Sequence, residues 1–122
     1  MIHVLLDSSV LLAFSGSIKG ASAFILKCCE QGKLKGYVSK QVLFECKKNA
    51  AEDMGEELEK ANKAFDNPKD APIITSAKQI KSIAFILSLD NGFFKPEVQK
   101  FVKPVKILKP GEFVNRFREE LG

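Results

Sequence analysis

Four acidic side chains stand where a carboxylate could do chemistry: Asp7, Glu45, Asp70 and Asp90. Asp7 closes the apolar run Ile2-His3-Val4-Leu5-Leu6, and Asp90 follows the apolar run Ile83 to Leu87. Asp70 comes after the turn Asn67-Pro68, and Glu45 lies at the margin of the stripe Val42, Leu43 and Cys46. Taken singly, each acid has a structural explanation as a helix cap, a turn former or a solvated helix residue. Brought to a common edge, the same carboxylates repel and need a compensating cation. Hard oxygen ligands around a polar cleft suit magnesium or manganese and do not suit zinc or copper. Such a cation lowers the pKa of bound water, orients it for in-line attack and neutralises charge developing on a phosphate. Without the cation, the repulsion should destabilise the fold, and removing one of the charges should then help.

Whether the acids meet depends on the elements that carry them. The run Ile2 to Leu6 is too continuously apolar for a half-exposed strand and reads as a strand buried on both faces of a parallel sheet. Ser8 and Ser9 can cap a short helix with Val10, Leu11, Leu12 and Phe14, interrupted by Gly16 and Ser17. Ala21, Phe24, Ile25 and Cys28 recur at helical spacing, and Gly32 is placed to end that helix. Tyr37 and Val38 make a short strand, and Ser39 is the expected N-cap of a helix with Val42, Leu43 and Cys46 inward. The charged segment Glu52 to Phe65, with the stripe Met54, Leu58, Ala61 and Phe65, reads as a surface helix. After Asp70, Pro72 fits the first turn of a helix with Ile73, Ala77 and Ile80 along one face. Ile83 to Leu87 is a second wholly apolar strand, Asn91-Gly92 turns the chain, and Val105 to Leu108 is the last strand. Pro110-Gly111 then opens a closing helix with Phe113, Val114, Phe117 and Leu121 inward. Strands alternating with helices predict a parallel sheet wrapped by helices on both faces, with ligands bound beyond the carboxyl ends of the strands. Asp7 and Asp90 stand at that end.

Length and composition narrow the class. With 122 residues, 45% of them hydrophobic, residues 1–122 read as one domain able to bury a proper core. No apolar stretch is long enough for a membrane span, and the opening run does not read as a signal peptide. Cys28, Cys29 and Cys46 have neither zinc nor disulfide spacing, so they read as small core residues in a reducing cytoplasm. The net charge of +4 favours a polyanionic partner only mildly. Lys95, Lys100, Lys103, Lys106 and Lys109, with Phe93, Phe94 and Phe101 among them, read equally as a nucleic-acid surface or as a solvated rim over buried aromatics. His3, the only histidine, lies within the first strand and reads as a core or edge residue. No serine, histidine and acid set stands in catalytic order, and there is no glycine-rich phosphate loop.

Several motifs together resemble a known family. Val4-Leu5-Leu6-Asp7-Ser8-Ser9-Val10-Leu11-Leu12, Val42-Leu43-Phe44-Glu45, Asn67-Pro68-Lys69-Asp70-Ala71-Pro72 and Ser88-Leu89-Asp90-Asn91-Gly92 are similar, in order, to the acidic motifs of the PIN-domain family, the PilT N-terminus type of ribonuclease. Ile107-Leu108-Lys109-Pro110-Gly111-Glu112-Phe113 is similar to the family's closing strand and helix. The resemblance implies a three-layer α/β/α sandwich around a parallel sheet and a magnesium- or manganese-dependent endoribonuclease that leaves a 5′-phosphate. It also implies, for many small members, a homodimer and a toxin held inactive by an antitoxin peptide. Asp7, Asp70 and Asp90 would be metal ligands, Glu45 would complete the acidic cluster, and Ser9 would be the accessory polar residue. The chain departs from the family in two places. Gly92 stands where relatives often carry another acidic or polar residue, and the interval from Glu45 to Asp70 is short, leaving room for a reduced strand near Ala64 and Phe65.

Two other classes compete. One is a PIN-like module that binds RNA or a protein partner and has lost useful catalysis, for which Gly92 is the motivating departure. The other is a phospho-acceptor or phosphatase domain, which also places an aspartate after its first strand. That class carries a second carboxylate close by, where this chain has Ser8 and Ser9.

Overall fold

The computed structural model describes residues 1–16, 20–49, 63, 65–66 and 73–121. In chain order the elements are β1 (Ile2–Leu6), α1 (Ser8–Gly16), α2 (Ala21–Glu30), β2 (Leu34–Tyr37), α3 (Lys40–Asn49), β3 (Phe65–Asp66), α4 (Ile73–Gln79) and β4 (Phe85–Leu87). A 3-10 turn (Asn91–Phe94), α5 (Pro96–Val102), β5 (Lys106–Leu108), α6 (Pro110–Arg116) and α7 (Arg118–Leu121) complete them.

Successive strand residues point to opposite faces of a sheet, so a strand that is apolar throughout must be covered on both sides. In β1, Val4 and Leu6 enter one core while Leu5 enters another. The same division holds in β4, with Phe85 and Leu87 on the first side and Ile86 on the second. Helices α1, α2, α3, α6 and α7 cover the first face through Val10, Leu11, Ile25, Leu26, Leu43, Phe113 and Leu121. Helices α4 and α5 cover the second through Ala77 and Val102, with Ile73, Ile74 and Val98 at its margin. The result is a three-layer α/β/α sandwich. Its sheet runs β3-β2-β1-β4-β5, with every pairing parallel. Among the described residues no helix is long and apolar enough to cross a membrane.

Several boundaries fall where the residue chemistry puts them. The strand Ile2–Leu6 stands as expected. Gly32, with φ of 77°, ends α2 while its N–H and that of Lys33 donate to the carbonyls of Cys29 and Cys28. Ser39 Oγ accepts from Val42 N–H at 3.1 Å, as an N-cap does. Other boundaries differ. The second strand is Leu34–Tyr37, three residues earlier than Tyr37-Val38 suggested; it pairs with β1 from Leu34 onward, and Lys35 within it pairs with Asp66 of β3 at 3.0 Å. Phe65 does not continue the helical stripe but opens a two-residue strand beside β2, the reduced strand expected near that position. The fourth strand starts at Phe85 and not at Ile83, since Ile83 N–H is taken by a turn to the Ile80 carbonyl. The closing helix is two helices, divided at Phe117, whose φ of −117° and ψ of 24° are not helical. Helix α5 was not anticipated; Pro96 at its first turn and the pair Val98 and Val102 are its signature. It leaves Phe93 and Phe94 packed against the second core, so the two are not a free apolar surface, whereas Phe101 is exposed. The remainder of the segment from Glu52 to Pro72, apart from Lys63, Phe65 and Asp66, lies outside the described residues.

In the first core β2 lies tightly against α2 and β3 at Gly36. A Cβ on Gly36 would stand 2.8 Å from Cys29 Sγ and 3.0 Å from a Phe65 ring carbon. Burial pushes the Cys29 thiol up to about 12, with a smaller contribution from Cys28 beside it, so Cys29 behaves as an apolar packing group. Gly36→Ala should therefore destabilise the protein by about 1–3 kcal/mol through overpacking. Urea unfolding checks this, and an unchanged midpoint would show that the β2 contact is not tight.

Candidate functional site

Strands β2 and β3 extend from one side of β1, and β4 and β5 from the other, so the chain reverses its direction of sheet growth between β1 and β4. In open parallel sheets a crevice forms at this reversal, beyond the carboxyl ends of the strands. The register pairs Leu6 with Leu87. The next residues along, Asp7 and Ser88, therefore meet at the mouth of that crevice.

Asp7 is fixed by backbone and side chain together. Its N–H donates to the Leu87 carbonyl at 3.1 Å, and its carbonyl accepts from Val10 N–H at 3.1 Å as α1 begins. The residue is 8% exposed, and its carboxylate is satisfied largely by serines. Oδ2 accepts from Ser9 Oγ and from Ser88 Oγ, each at 2.8 Å. Both hydroxyls also accept from the loop after β4: Ser9 Oγ from Leu89 N–H at 2.9 Å, and Ser88 Oγ from Asp90 N–H at 3.0 Å. The two hydroxyls lie 3.3 Å apart, and the shorter bonds to Asp7 assign their protons to the carboxylate. Oδ1 receives only a long contact of 3.5 Å from Ser8 Oγ.

Asp90 is exposed and is oriented by its own turn. Its Oδ1 accepts from Gly92 N–H at 2.9 Å, which caps the 3-10 turn. A Cβ on Gly92 would stand 3.3 Å from that same oxygen, so the glycine permits the close turn. Asp90 Oδ2 accepts no hydrogen bond among the described residues. Lys109, immediately after β5, brings a positive charge to the same end of the sheet, with its ammonium 5.7 Å from the Phe94 ring centre.

The structure thus brings the Asp7 carboxylate and the Ser9 and Ser88 hydroxyls together, and ties the Asp90 backbone to them through its amide. Glu45 belongs to α3, whose next residue, Cys46, donates to the Ser8 carbonyl at 3.9 Å. The helix backbone therefore passes beside the start of α1, while the Glu45 side chain lies outside what is described. Asp70 lies outside the described residues. Among those described, no group of three or more histidine, cysteine, aspartate or glutamate side chains is placed to hold a metal ion. Asp7 and Asp90 carry oxygen donors of the kind that magnesium or manganese would take, and the two alone do not make up a full ligand set. Sequence reasoning gave Ser88 no role. Its signal was its position, the first polar residue after a fully apolar strand, matching Asp7 after β1.

No family model, no curated protein and no solved structure matches the chain.

The serine bonds change what is expected of Asp7. Like-charge repulsion alone would make Asp7→Asn stabilising in metal-free buffer, but the carboxylate here receives two short charge-assisted bonds. Asp7→Asn should instead lower stability by about 1–2 kcal/mol, and Ser88→Ala by about 1–3 kcal/mol because it strands both Asp7 and the Asp90 amide. Chemical denaturation in EDTA measures both. A Ser88→Ala protein as stable as wild type would mean that the clamp does not hold the loop.

Proposed function

We propose that this protein is a metal-dependent endoribonuclease of the PIN-domain type, hydrolysing RNA phosphodiester bonds. The observation that carries this reading is the convergence of Asp7 and Asp90 on the carboxyl ends of β1 and β4, at the reversal of the sheet, joined through Ser88. Magnesium or manganese would be held by Asp7, Asp70 and Asp90, with Glu45 completing the acidic cluster. When bound, the ion supplies water activation and charge neutralisation at the phosphate. Ser9 and Ser88 hold Asp7 by Oδ2, which leaves Oδ1 directed by position and not by a strong partner. The Gly92 amide does the same for Asp90, holding Oδ1 and leaving Oδ2 to bind. Lys109 attracts the phosphate backbone to this edge. In this reading the ordered motif series, from Val4-Leu5-Leu6-Asp7 to Ser88-Leu89-Asp90, carries the choice of RNA as substrate and of a 5′-phosphate product.

A second reading, a non-catalytic RNA- or protein-binding module, is favoured by one observation. Asp7 is almost closed off and spends one oxygen on serines, so it also serves as a structural staple.

Two experiments separate these readings. Purified protein should cleave single-stranded RNA with manganese or magnesium, and Asp7→Asn, Asp70→Asn and Asp90→Asn should each abolish cleavage while circular dichroism still reports a fold. RNA binding without cleavage across a broad substrate panel would favour the module. Independently of activity, divalent metal at about 100 times its Kd should stabilise wild type by about 2.7 kcal/mol and leave Asp90→Asn unmoved. If metal shifts neither protein's thermal unfolding, the metal-site assignment fails.

A further inference from the structure

At the opposite end of the sheet, α4 and α5 leave a cavity of about 290 Å³ over the amino ends of β4 and β5. That size stands at the lower end of small-ligand pockets. Its floor is apolar: Ala77, Ile83, Val102 and Val105 are buried, and Pro104 lies beside them. Its rim is cationic. Lys78, Lys81 and Lys103 line it, and among the described residues no carboxylate does. Among the described residues none of these lysines forms an ion pair, and Lys78 is held with its ammonium 3.9 Å from the centre of the exposed Phe101 ring. That contact fixes one cation at the rim without neutralising it.

An apolar floor beneath three ammonium groups that pair with no acid among the described residues selects a ligand that joins an apolar body to a multiply charged anion. A single carboxylate would leave two of the cations unmatched, and a long acyl chain would outrun a cavity this short. A dianionic phosphate can engage several ammonium groups at once, and an attached ring covers the floor. We propose that this cavity binds a nucleoside phosphate, either as a free nucleotide with a dianionic phosphate or as one unit of an RNA chain, whose two flanking phosphodiesters carry one charge each. The site is separate from the carboxylate edge and does not depend on the nuclease reading.

The test is a titration of isotope-labelled protein in EDTA with adenosine 5′-monophosphate, adenosine, inorganic phosphate and a single-stranded hexanucleotide. Saturable shifts are expected at Ala77, Ile83, Val102 and Val105. Adenosine or phosphate alone should bind at least about tenfold more weakly than the nucleotide, since each lacks half of the contacts. Lys81→Ala/Lys103→Ala, at two exposed positions whose fold circular dichroism verifies, should weaken nucleotide binding by about tenfold or more. Asp7→Asn should leave it unchanged, so failure here and failure of the nuclease reading are distinguishable. Lysine-dependent binding of the hexanucleotide, with or without the mononucleotide, identifies an RNA unit, and lysine-dependent binding of the mononucleotide alone identifies a free nucleotide. No saturable shift with either, or equal affinity in the double variant, overturns the proposal.

Discussion

Everything at the carboxyl edge depends on one shared acceptor, the Oδ2 atom of Asp7. Two hydroxyl protons converge on it, and the oxygens that carry them take the backbone amides of Leu89 and Asp90. A negative charge is the reason both hydroxyls point the same way, because an ionised acceptor strengthens each O–H bond it receives and polarises the groups behind it. One carboxylate at the end of the first strand thereby sets the path of the loop after the fourth. The position of Asp90 is a consequence of Asp7 and was not encoded by its own neighbours alone.

That clamp needs β1 and β4 side by side, and the sheet supplies this by sterics. Both strands bury alternate residues in different cores, and each is hydrogen-bonded to a strand on either side. Edge positions fall to β3 and β5, where Asp66 and Lys106 meet solvent. Gly36 lets β2 close against α2 and β3. The crevice between β1 and β4 is therefore what remains once every strand has found its layer.

The sequence foretold best the features that follow from local chemistry. The continuous apolar run of β1, the left-handed glycine after α2 and the serine cap of α3 could all be read from neighbouring residues. The second strand could not, because Lys35 and Gly36 break the apolar pattern for reasons that lie in β3 and α2. Helix α5 hid behind its lysines, since a short helix with two inward valines gives little periodicity. In the candidate site, the strand-end positions of Asp7 and Asp90 followed from the apolar runs before them. The role of Ser88 follows only from cross-strand register. The expected benefit of removing the Asp7 charge rested on repulsion and left out the serine donors that the register supplies.

Asp7 and Ser88 are 81 residues apart in the chain, yet they occupy adjacent strand ends. A ribosome delivers the first strand with β2 close behind, and β1 and β2 can pair early through the short α1 and α2 connection. The other side of β1 stays open until β4 has been made. During that interval an apolar strand edge, and a carboxylate without its serine from β4, face solvent. Long-range parallel pairing of this kind is slow because the intervening loop must close before the contacts reward it. The candidate site cannot form before β4 has been made, and no fragment that stops short of β4 can carry it.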